Sequence, residues 1–138
     1  MTPERIDFVT LKRPRTPNTF LMAPEGYCKE AKIDQVAPVY SVKAAKLRQE
    51  FLSVVLAKPR VTHSFADEAG LYDDFVSRSR VFRFPDLVSV RFLDLKGGQS
   101  TLALYSRSVY GRSDLGVNRA RSLAWLGKVN GVIKPQSA

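Results

Sequence analysis

The fold is decided by residues 87–108, which read LVSVRFLDLKGGQSTLALYSRS. Apolar and polar residues alternate on both sides of residues 96–99, a pattern typical of strands with one buried face. The glycine pair in that segment supplies the positive φ angles that tight hairpin turns require. The stretch therefore predicts two antiparallel strands, Leu87–Leu95 and Ser100–Ser108, joined by a short turn.

The residues before this hairpin extend it into a meander. Arg60–Phe65 and Leu71–Phe82 are predicted as strands, with a turn at residues 67–70 between them. Pro85 interrupts the pattern before the next strand begins. A short strand over Pro38–Ser41 is also predicted. Because consecutive hairpins pair their strands antiparallel, the pattern predicts an antiparallel sheet of four to five strands.

A first amphipathic helix is predicted over residues 42–58, just before the meander. Pro59 ends it, and Ser41 is the predicted N-cap. Its apolar residues share one face at helical spacing. They are Ala44, Leu47, Phe51, Val54 and Val55.

A second helix is predicted after the meander, from a cap at Ser113 or Asp114 to about Asn130. Gly131 is the predicted C-cap. Its predicted apolar stripe is Val117, Ala120, Leu123 and Ala124. The spacing indicates that this helix packs against the sheet beside the first one.

These elements predict an α+β fold, with both helices on one face of the sheet in a two-layer sandwich. Residues 1–37, interrupted by prolines, are expected to form an irregular arm packed on the domain, with Thr19–Met22 docking on the core. Residues 38–131 form the predicted domain, and residues 132–138 a flexible tail. The second sheet face is then exposed unless the arm or a partner covers it.

The chain is strongly basic, with 22 Lys and Arg against 13 Asp and Glu and a formal net charge of +9. Residues 101–138 contain six basic residues and a single acidic one, so the excess is concentrated near the carboxyl terminus. Such a charge favours anionic partners: a small anion, an anionic lipid surface, or nucleic acid.

Arginines and hydroxyl residues recur on two predicted strands, in Ser77–Arg80 and Tyr105–Ser108. Strand alternation lets four guanidinium groups share one sheet face, and these groups bind carboxylates or phosphates with two parallel hydrogen bonds. The candidate ligand-binding residues here are Arg78, Arg80, Arg91, Tyr105 and Arg107. The alternative is a solvated face on which these arginines pair with acidic residues.

A second candidate region is the turn between the last strand and the second helix. Ser113, Asp114, Asn118 and Arg121 gather hydroxyl, carboxylate, amide and guanidinium groups beside a helix N-terminus, where a small anion can bind. The alternative is a rigid corner in which Asp114 caps the helix. Positive charge early in a helix opposes the helix dipole, so either Arg119 or Arg121 is expected to pair with Asp114, Asp86 or an acidic ligand.

No catalytic or metal constellation is predicted. His63 is the only histidine and Cys28 the only cysteine, which excludes an internal disulfide and makes a four-ligand zinc site very improbable. The adjacent pair Asp73-Asp74 is expected to be solvated beside a turn, without partners for a metal. No metal and no cofactor are predicted.

Three blocks of the sequence resemble one bacterial family, the domain of unknown function 1499. They are residues 16–21 (TPNTFL), residues 80–86 (RVFRFPD), and residues 105–121 (YSRSVYGRSDLGVNRAR) followed by Trp125-Leu126. The resemblance extends over roughly residues 16–128. It implies no established catalytic residues. Members of the family often carry a hydrophobic anchor or export signal, which is missing from the amino terminus here, so a trimmed chain or a cytoplasmic member is expected.

The predicted function is a non-enzymatic binding module of the cell envelope that recognises an anionic small molecule, an anionic lipid surface or a protein partner. Two alternatives stay open: nucleic-acid binding through the basic surface, and a small-molecule hydrolase that uses Asp86 or Asp114. Without a processed signal or anchor the expected location is cytoplasmic, and with one it is periplasmic or membrane-associated.

Overall fold

Six strands form one mixed sheet in a computed structural model that describes residues 5–111 and 114–136. In chain order the elements are β1 (Thr19–Ala23), β2 (Gln35–Val36), α1 (Ala44–Val55), β3 (Val61–Asp67), β4 (Tyr72–Arg78), β5 (Pro85–Asp94), β6 (Ser100–Ser108) and α2 (Val117–Val132). The strand order is β2-β1-β6-β5-β4-β3, with β1 and β2 parallel and every other pair antiparallel. The α+β class is therefore confirmed, while the predicted antiparallel sheet of four to five strands is only approximately correct.

The meander from β3 to β6 follows the predicted strand sequence, and β6 has the predicted bounds. β4 ends four residues earlier than expected, because residues 79–84 form a loop closed by hydrogen bonds between Ser79 and Phe84. Pro85 begins β5 instead of interrupting it. The predicted strand Pro38–Ser41 is reduced to isolated bridges at Tyr40.

The largest correction concerns the amino-terminal arm, residues 1–37, which was predicted to be irregular. Its segment Thr19–Ala23 is β1, which lies inside the sheet between β2 and β6. Leu21 pairs with Tyr105 of β6 in antiparallel register. Prolines at positions 17 and 24 flank the strand without interrupting it, which is why the segment can pair along its length.

The main core lies between the helices and one face of the sheet. Of the five residues predicted for the apolar face of α1, four are buried there: Ala44, Leu47, Phe51 and Val55. The fifth, Val54, is partly buried against this core. The Phe51 ring contacts Phe92 of β5 and Trp125 of α2, with ring centroids 5.3 and 6.2 Å apart. The aromatic contacts thus hold both helices on the same sheet face.

The buried face of α2 differs from the predicted stripe. Val117 is half exposed, and Ala120 and Ala124 are exposed. The buried residues are Asn118, Ser122, Trp125, Leu126 and Val129. Gly131, the predicted C-cap, lies within the helix, and Ile133 is the C-cap.

The arm covers the sheet face that points away from the helices, so this face as a whole is not exposed to solvent. Phe8 of the arm is buried in a second cluster with Leu21, Tyr72, Ala103 and Tyr105. Both faces of β4, β5 and β6 are therefore covered by other parts of the protein. Polar side chains on these strands need hydrogen-bond partners within the protein, because burying an unpaired polar group is unfavourable.

Within the described residues, the carboxyl-terminal segment packs on the rest of the domain. Pro135 bridges to Tyr40, and the backbone N–H of Gln136 donates to the carbonyl of Val39 at 2.7 Å. The predicted flexible tail, residues 132–138, is thus corrected for residues 132–136, while residues 137–138 lie outside the described part. Among the described residues, no helix combines the length and apolarity that crossing a bilayer requires.

The start of α1 is stabilised from the sheet. The N-cap position is Lys43, whose side chain makes no capping bond, so the predicted cap at Ser41 is wrong. Instead the Asp94 carboxylate, at the end of β5, accepts from the backbone N–H of Ala44 at 2.8 Å. A carboxylate at this position satisfies a free N–H group and complements the positive end of the helix dipole.

We therefore expect Asp94→Ala to lower the free energy of unfolding by about 1 kcal/mol, the usual value of a lost N-terminal cap. Ser41→Ala is the matched control, because Ser41 is exposed and caps nothing. Urea denaturation followed by circular dichroism measures both changes. A larger loss for Ser41→Ala than for Asp94→Ala would contradict this assignment of the cap.

Candidate functional site

The structure distributes the predicted site residues over four places and does not assemble them into one anion site. Asp114, Asn118 and Arg121 lie at the corner between β6 and α2, whereas Ser113 lies outside the described residues. Tyr105 and Arg107 lie on the arm-covered face of β6. Arg91 lines a cleft under the arm, and Arg78 and Arg80 lie at the β4–β5 hairpin.

Asn118 is the centre of the corner, and its side chain is completely buried. Its Oδ1 accepts from the hydroxyl of Ser106 on β6. Its Nδ2 donates to the backbone carbonyl of Asn18 at 3.1 Å and to the hydroxyl of Ser108 at 2.9 Å. One amide thereby connects α2, the last strand and the residue that precedes β1.

Of the two arginines early in α2, Arg121 makes the expected ion pair, and its partner is Asp86. Its Nη2 lies 2.7 Å from Asp86 Oδ2, and its Nη1 donates to Asn118 Oδ1 at 3.0 Å. Both charged side chains are mostly buried. Asp86 is therefore engaged in holding α2 to the start of β5.

Asp114 accepts at the start of α2, from the backbone N–H groups of Gly116 at 2.8 Å and Asn118 at 3.0 Å. Its Oδ2 also accepts from the Asn118 side chain. Burial raises the pKa of the Asp114 carboxyl, but these hydrogen bonds outweigh burial and hold the pKa below its ordinary value. The polar groups of the corner thus bond mainly to one another, which is the arrangement of a rigid corner.

A second polar network is buried on the arm-covered face. Asp74 is almost completely buried, and its Oδ1 accepts from the hydroxyls of Tyr72 at 2.8 Å and Ser89 at 2.5 Å. Arg107 donates to the Ser89 hydroxyl at 2.8 Å, and its guanidinium lies over the Tyr105 ring. Burial lowers the pKa of Arg107, and the negative charge of Asp74 opposes that shift. Arg107 thus compensates a buried carboxylate within the protein.

The neighbouring Asp73 is buried on the helix side of the same strand. Arg48 of α1 binds it with two hydrogen bonds, Nε to Oδ2 at 2.7 Å and Nη2 to Oδ1 at 2.9 Å. His63 Nε2 lies 2.8 Å from Asp73 Oδ1, and its ring stacks on Phe75. The expectation of a solvated Asp73-Asp74 pair is therefore wrong, because both faces of β4 are covered. The sequence contained no signal that linked Asp73 to Arg48 or His63.

The β4–β5 hairpin presents an exposed apolar surface. The Phe82 and Phe84 rings stack with centroids 5.4 Å apart, and Phe84 contacts Tyr110 at 5.6 Å. The exposed fractions are large for apolar side chains: Val81 76%, Phe82 73%, Phe84 52% and Tyr110 59%. We call these four residues, with Arg78, Arg80 and Arg83, the hairpin surface. Of this surface, the sequence predicts only Arg78 and Arg80 as binding residues, although the RVFRF run of residues 80–84 also contains its apolar residues and Arg83.

Arg91 lies in a cleft of about 420 Å³ between the arm and the sheet. Its guanidinium lies over the ring of Tyr72, 5.6 Å from the centroid. The lining residues are Arg5, Ile6, Asp7, Phe8, Val9, Tyr27 and Arg91. We call this the arm cleft.

A larger groove of about 780 Å³ runs beside α1 and is lined by Leu52, Leu56 and Leu71, with Arg48 and Glu68 among its polar residues. Neither Asp86 nor Asp114 lines this groove or the arm cleft. Within residues 5–111 and 114–136, no three histidine, cysteine or acidic side chains cluster as metal ligands would.

The corner gives a test based on the Asp114 pKa. Asp114→Ala should lower the free energy of unfolding by about 1 kcal/mol at neutral pH, as loss of a helix cap does. Because the native pKa lies below the ordinary value of 3.8, the carboxylate stabilises the fold fully above pH 3.8 and this stabilisation is lost as pH falls through the native pKa. The two proteins should therefore converge in stability at low pH.

Urea midpoints of wild type, Asp114→Ala and Asp114→Asn between pH 2.5 and 7 measure this dependence. Asp114→Asn keeps one acceptor oxygen and should lose less stability than Asp114→Ala. A stability difference that stays constant down to pH 2.5 would contradict the role of the carboxylate charge.

Comparison with known proteins confirms the family resemblance that the three sequence blocks indicate. No curated protein matches the chain. A family model described as "Protein of unknown function (DUF1499)" matches residues 11–129, which include β1, the whole meander and most of α2. The Asn118 corner, the hairpin surface and Arg91 all lie within the matched residues, and the chain belongs to this family.

Proposed function

We propose that the protein is a non-enzymatic binding module of the cell envelope that docks on an anionic lipid bilayer through the hairpin surface. The observation that carries this proposal is the exposed stack of Phe82 and Phe84 beside Arg80 and Arg83. Contiguous exposed apolar side chains are uncommon on monomeric domains and usually mark an interaction site.

The hairpin surface combines the two forces that hold peripheral proteins on membranes. Burying a large apolar side chain is worth about 1.5–3 kcal/mol, and each arginine near an anionic surface adds about 1 kcal/mol. Arg78, Arg80 and Arg83 lie on this hairpin, and Arg60 lies against it, donating to the carbonyl of Arg78 at 3.3 Å. The acidic residue next in sequence, Asp86, is paired with Arg121, so it does not neutralise these arginines.

The hairpin is held in shape before any partner binds. The backbone N–H of Ser79 donates to the carbonyl of Phe84, and the N–H of Phe84 donates to the Ser79 hydroxyl, both at 3.0 Å. Arg78 donates to the carbonyl of Arg83 across the loop at 3.0 Å. A preformed loop loses little conformational freedom on docking, which favours binding.

A lipid surface fits better than nucleic acid. A base-binding platform needs aromatic faces that are free for stacking, whereas Phe82 and Phe84 stack on each other. Val81 has no stacking surface, and Leu115 is 95% exposed in the loop before α2, at the same end of the sheet. Exposed aliphatic side chains beside aromatics are typical of segments that insert into the interfacial region of a bilayer.

Sedimentation with vesicles tests the proposal. Wild type should bind vesicles that contain phosphatidylglycerol and bind phosphatidylcholine vesicles weakly, with binding that falls as salt screens the arginines. Phe82→Ala/Phe84→Ala should weaken binding at least about tenfold, since about 1.4 kcal/mol corresponds to a factor of ten. Arg80→Gln/Arg83→Gln should weaken binding by about the same factor.

The matched control is Lys96→Gln/Lys128→Gln, which removes the same charge from exposed positions outside the hairpin surface. It should bind vesicles almost as wild type does. Equal losses in this control and in Arg80→Gln/Arg83→Gln would overturn the proposal in favour of unspecific charge attraction. Retention of a single-stranded RNA oligonucleotide at physiological salt, without vesicle binding, would overturn it in favour of nucleic acid.

A further inference from the structure

Two opposite charges line the arm cleft without pairing. The side chain of Arg91 makes no hydrogen bond or ion pair within residues 5–111 and 114–136, and the Asp7 carboxylate has no cationic partner there. In the described part of the chain, Asp7 Oδ1 accepts from the backbone N–H of Val9, at 3.0 Å. The other charged residue of the cleft, Arg5, is paired with Asp67 at 2.7 Å. A half-buried cation and a separate anion therefore face one cavity.

The surroundings of Arg91 hold it ready for a planar ligand. Its guanidinium lies over Tyr72, a ring fixed by hydrogen bonds from its hydroxyl to Asp74 and from the N–H of Ile6 to that hydroxyl. A guanidinium placed over an aromatic ring keeps its N–H groups available at its edge, where they fit the two oxygens of a carboxylate. The side chain of Arg91 is thus oriented without using its donors.

The arm cleft has the size and lining of a small-molecule site. Its volume of about 420 Å³ lies within the range of roughly 300–1,000 Å³ that is usual for ligand pockets. Ile6 and Val9 supply an apolar wall. The half-buried Tyr27 lies close enough to Arg91 for the positive charge to oppose the rise in the Tyr27 pKa that burial causes.

We propose that the arm cleft binds a small zwitterionic carboxylate of the amino-acid type. Arg91 holds the carboxylate, Asp7 faces the ammonium group, and the apolar side chain of the ligand lies against Ile6 and Val9. The Asp7 charge disfavours a multiply charged anion such as inorganic phosphate, because like charges repel one another at short distance. This site is separate from the hairpin surface and does not depend on the function proposed above.

Three ligands of almost equal shape separate the contribution of the carboxylate to binding from that of the ammonium group. Leucine carries both charges, 4-methylpentanoate lacks the ammonium group, and 3-methylbutylamine lacks the carboxylate. Titrations followed by NMR at the Arg91 Nε–H and the Tyr27 backbone amide should give saturable binding of leucine, weaker binding of 4-methylpentanoate and no binding of 3-methylbutylamine or inorganic phosphate.

Two variants assign the residues. Arg91→Gln should weaken leucine binding about tenfold or more, the usual effect of losing hydrogen bonds to a charged group. Asp7→Asn keeps the acceptor for the Val9 N–H, and it should remove the preference for leucine over 4-methylpentanoate. Lys29→Gln, an exposed charge change on the arm outside the cleft lining, is the control and should bind leucine as wild type does.

The measurement of leucine binding is independent of membrane docking, because Arg91→Gln should bind phosphatidylglycerol vesicles as wild type does. Absence of saturable leucine binding in the folded wild-type protein would overturn the site. Equal leucine binding by Arg91→Gln and wild type, in variants whose amide spectra show an intact fold, would also overturn it.

Discussion

The buried amide of Asn118 is the interaction on which the geometry of the domain depends. It bonds to the carbonyl of Asn18 before β1, to Ser106 and Ser108 of β6, and to Asp114 before α2. A buried amide that lost one of these partners would leave polar groups unsatisfied, at a cost of roughly 1–3 kcal/mol each. The position of β1 beside β6 and the direction of α2 are therefore linked through one side chain. The long sequence block over residues 105–121 has its structural explanation in this corner.

The parts of the fold that the sequence predicted are those governed by local periodicity. β6 and the buried face of α1 follow from apolar spacing alone, and the structure has them as predicted. α2 does not follow that rule, because its first buried positions are Asn118 and Ser122. A helix whose buried face begins with polar residues is misassigned by any hydrophobic pattern, since the pattern counts only apolar residues.

The remaining errors come from contacts between distant parts of the chain. β1 was included in an irregular arm because prolines flank it, yet its pairing partner β6 lies more than 80 residues away. Asp73 and Asp74 resemble a solvated pair until both faces of β4 are known to be covered, one by α1 and one by the arm. Arg48 and Arg107 then compensate them. The sequence predicts which residues belong to the candidate site. Which of them lie together depends on the coverage of both sheet faces by α1 and the arm.

The coverage of both sheet faces also changes how the net charge of +9 is interpreted. Arg121, Arg107 and Arg48 compensate buried carboxylates, so these three positive charges act within the protein. Arg80 and Arg83 of the hairpin surface and Arg91 in the arm cleft make no ion pair within the described residues. The hairpin ends where β5 begins at Pro85, and Arg91 lies six residues further along the strand, roughly 20 Å away at the rise of an extended strand. A domain that docks by its hairpin surface would therefore keep the arm cleft open to solvent, because the strand length separates the cleft from the bilayer.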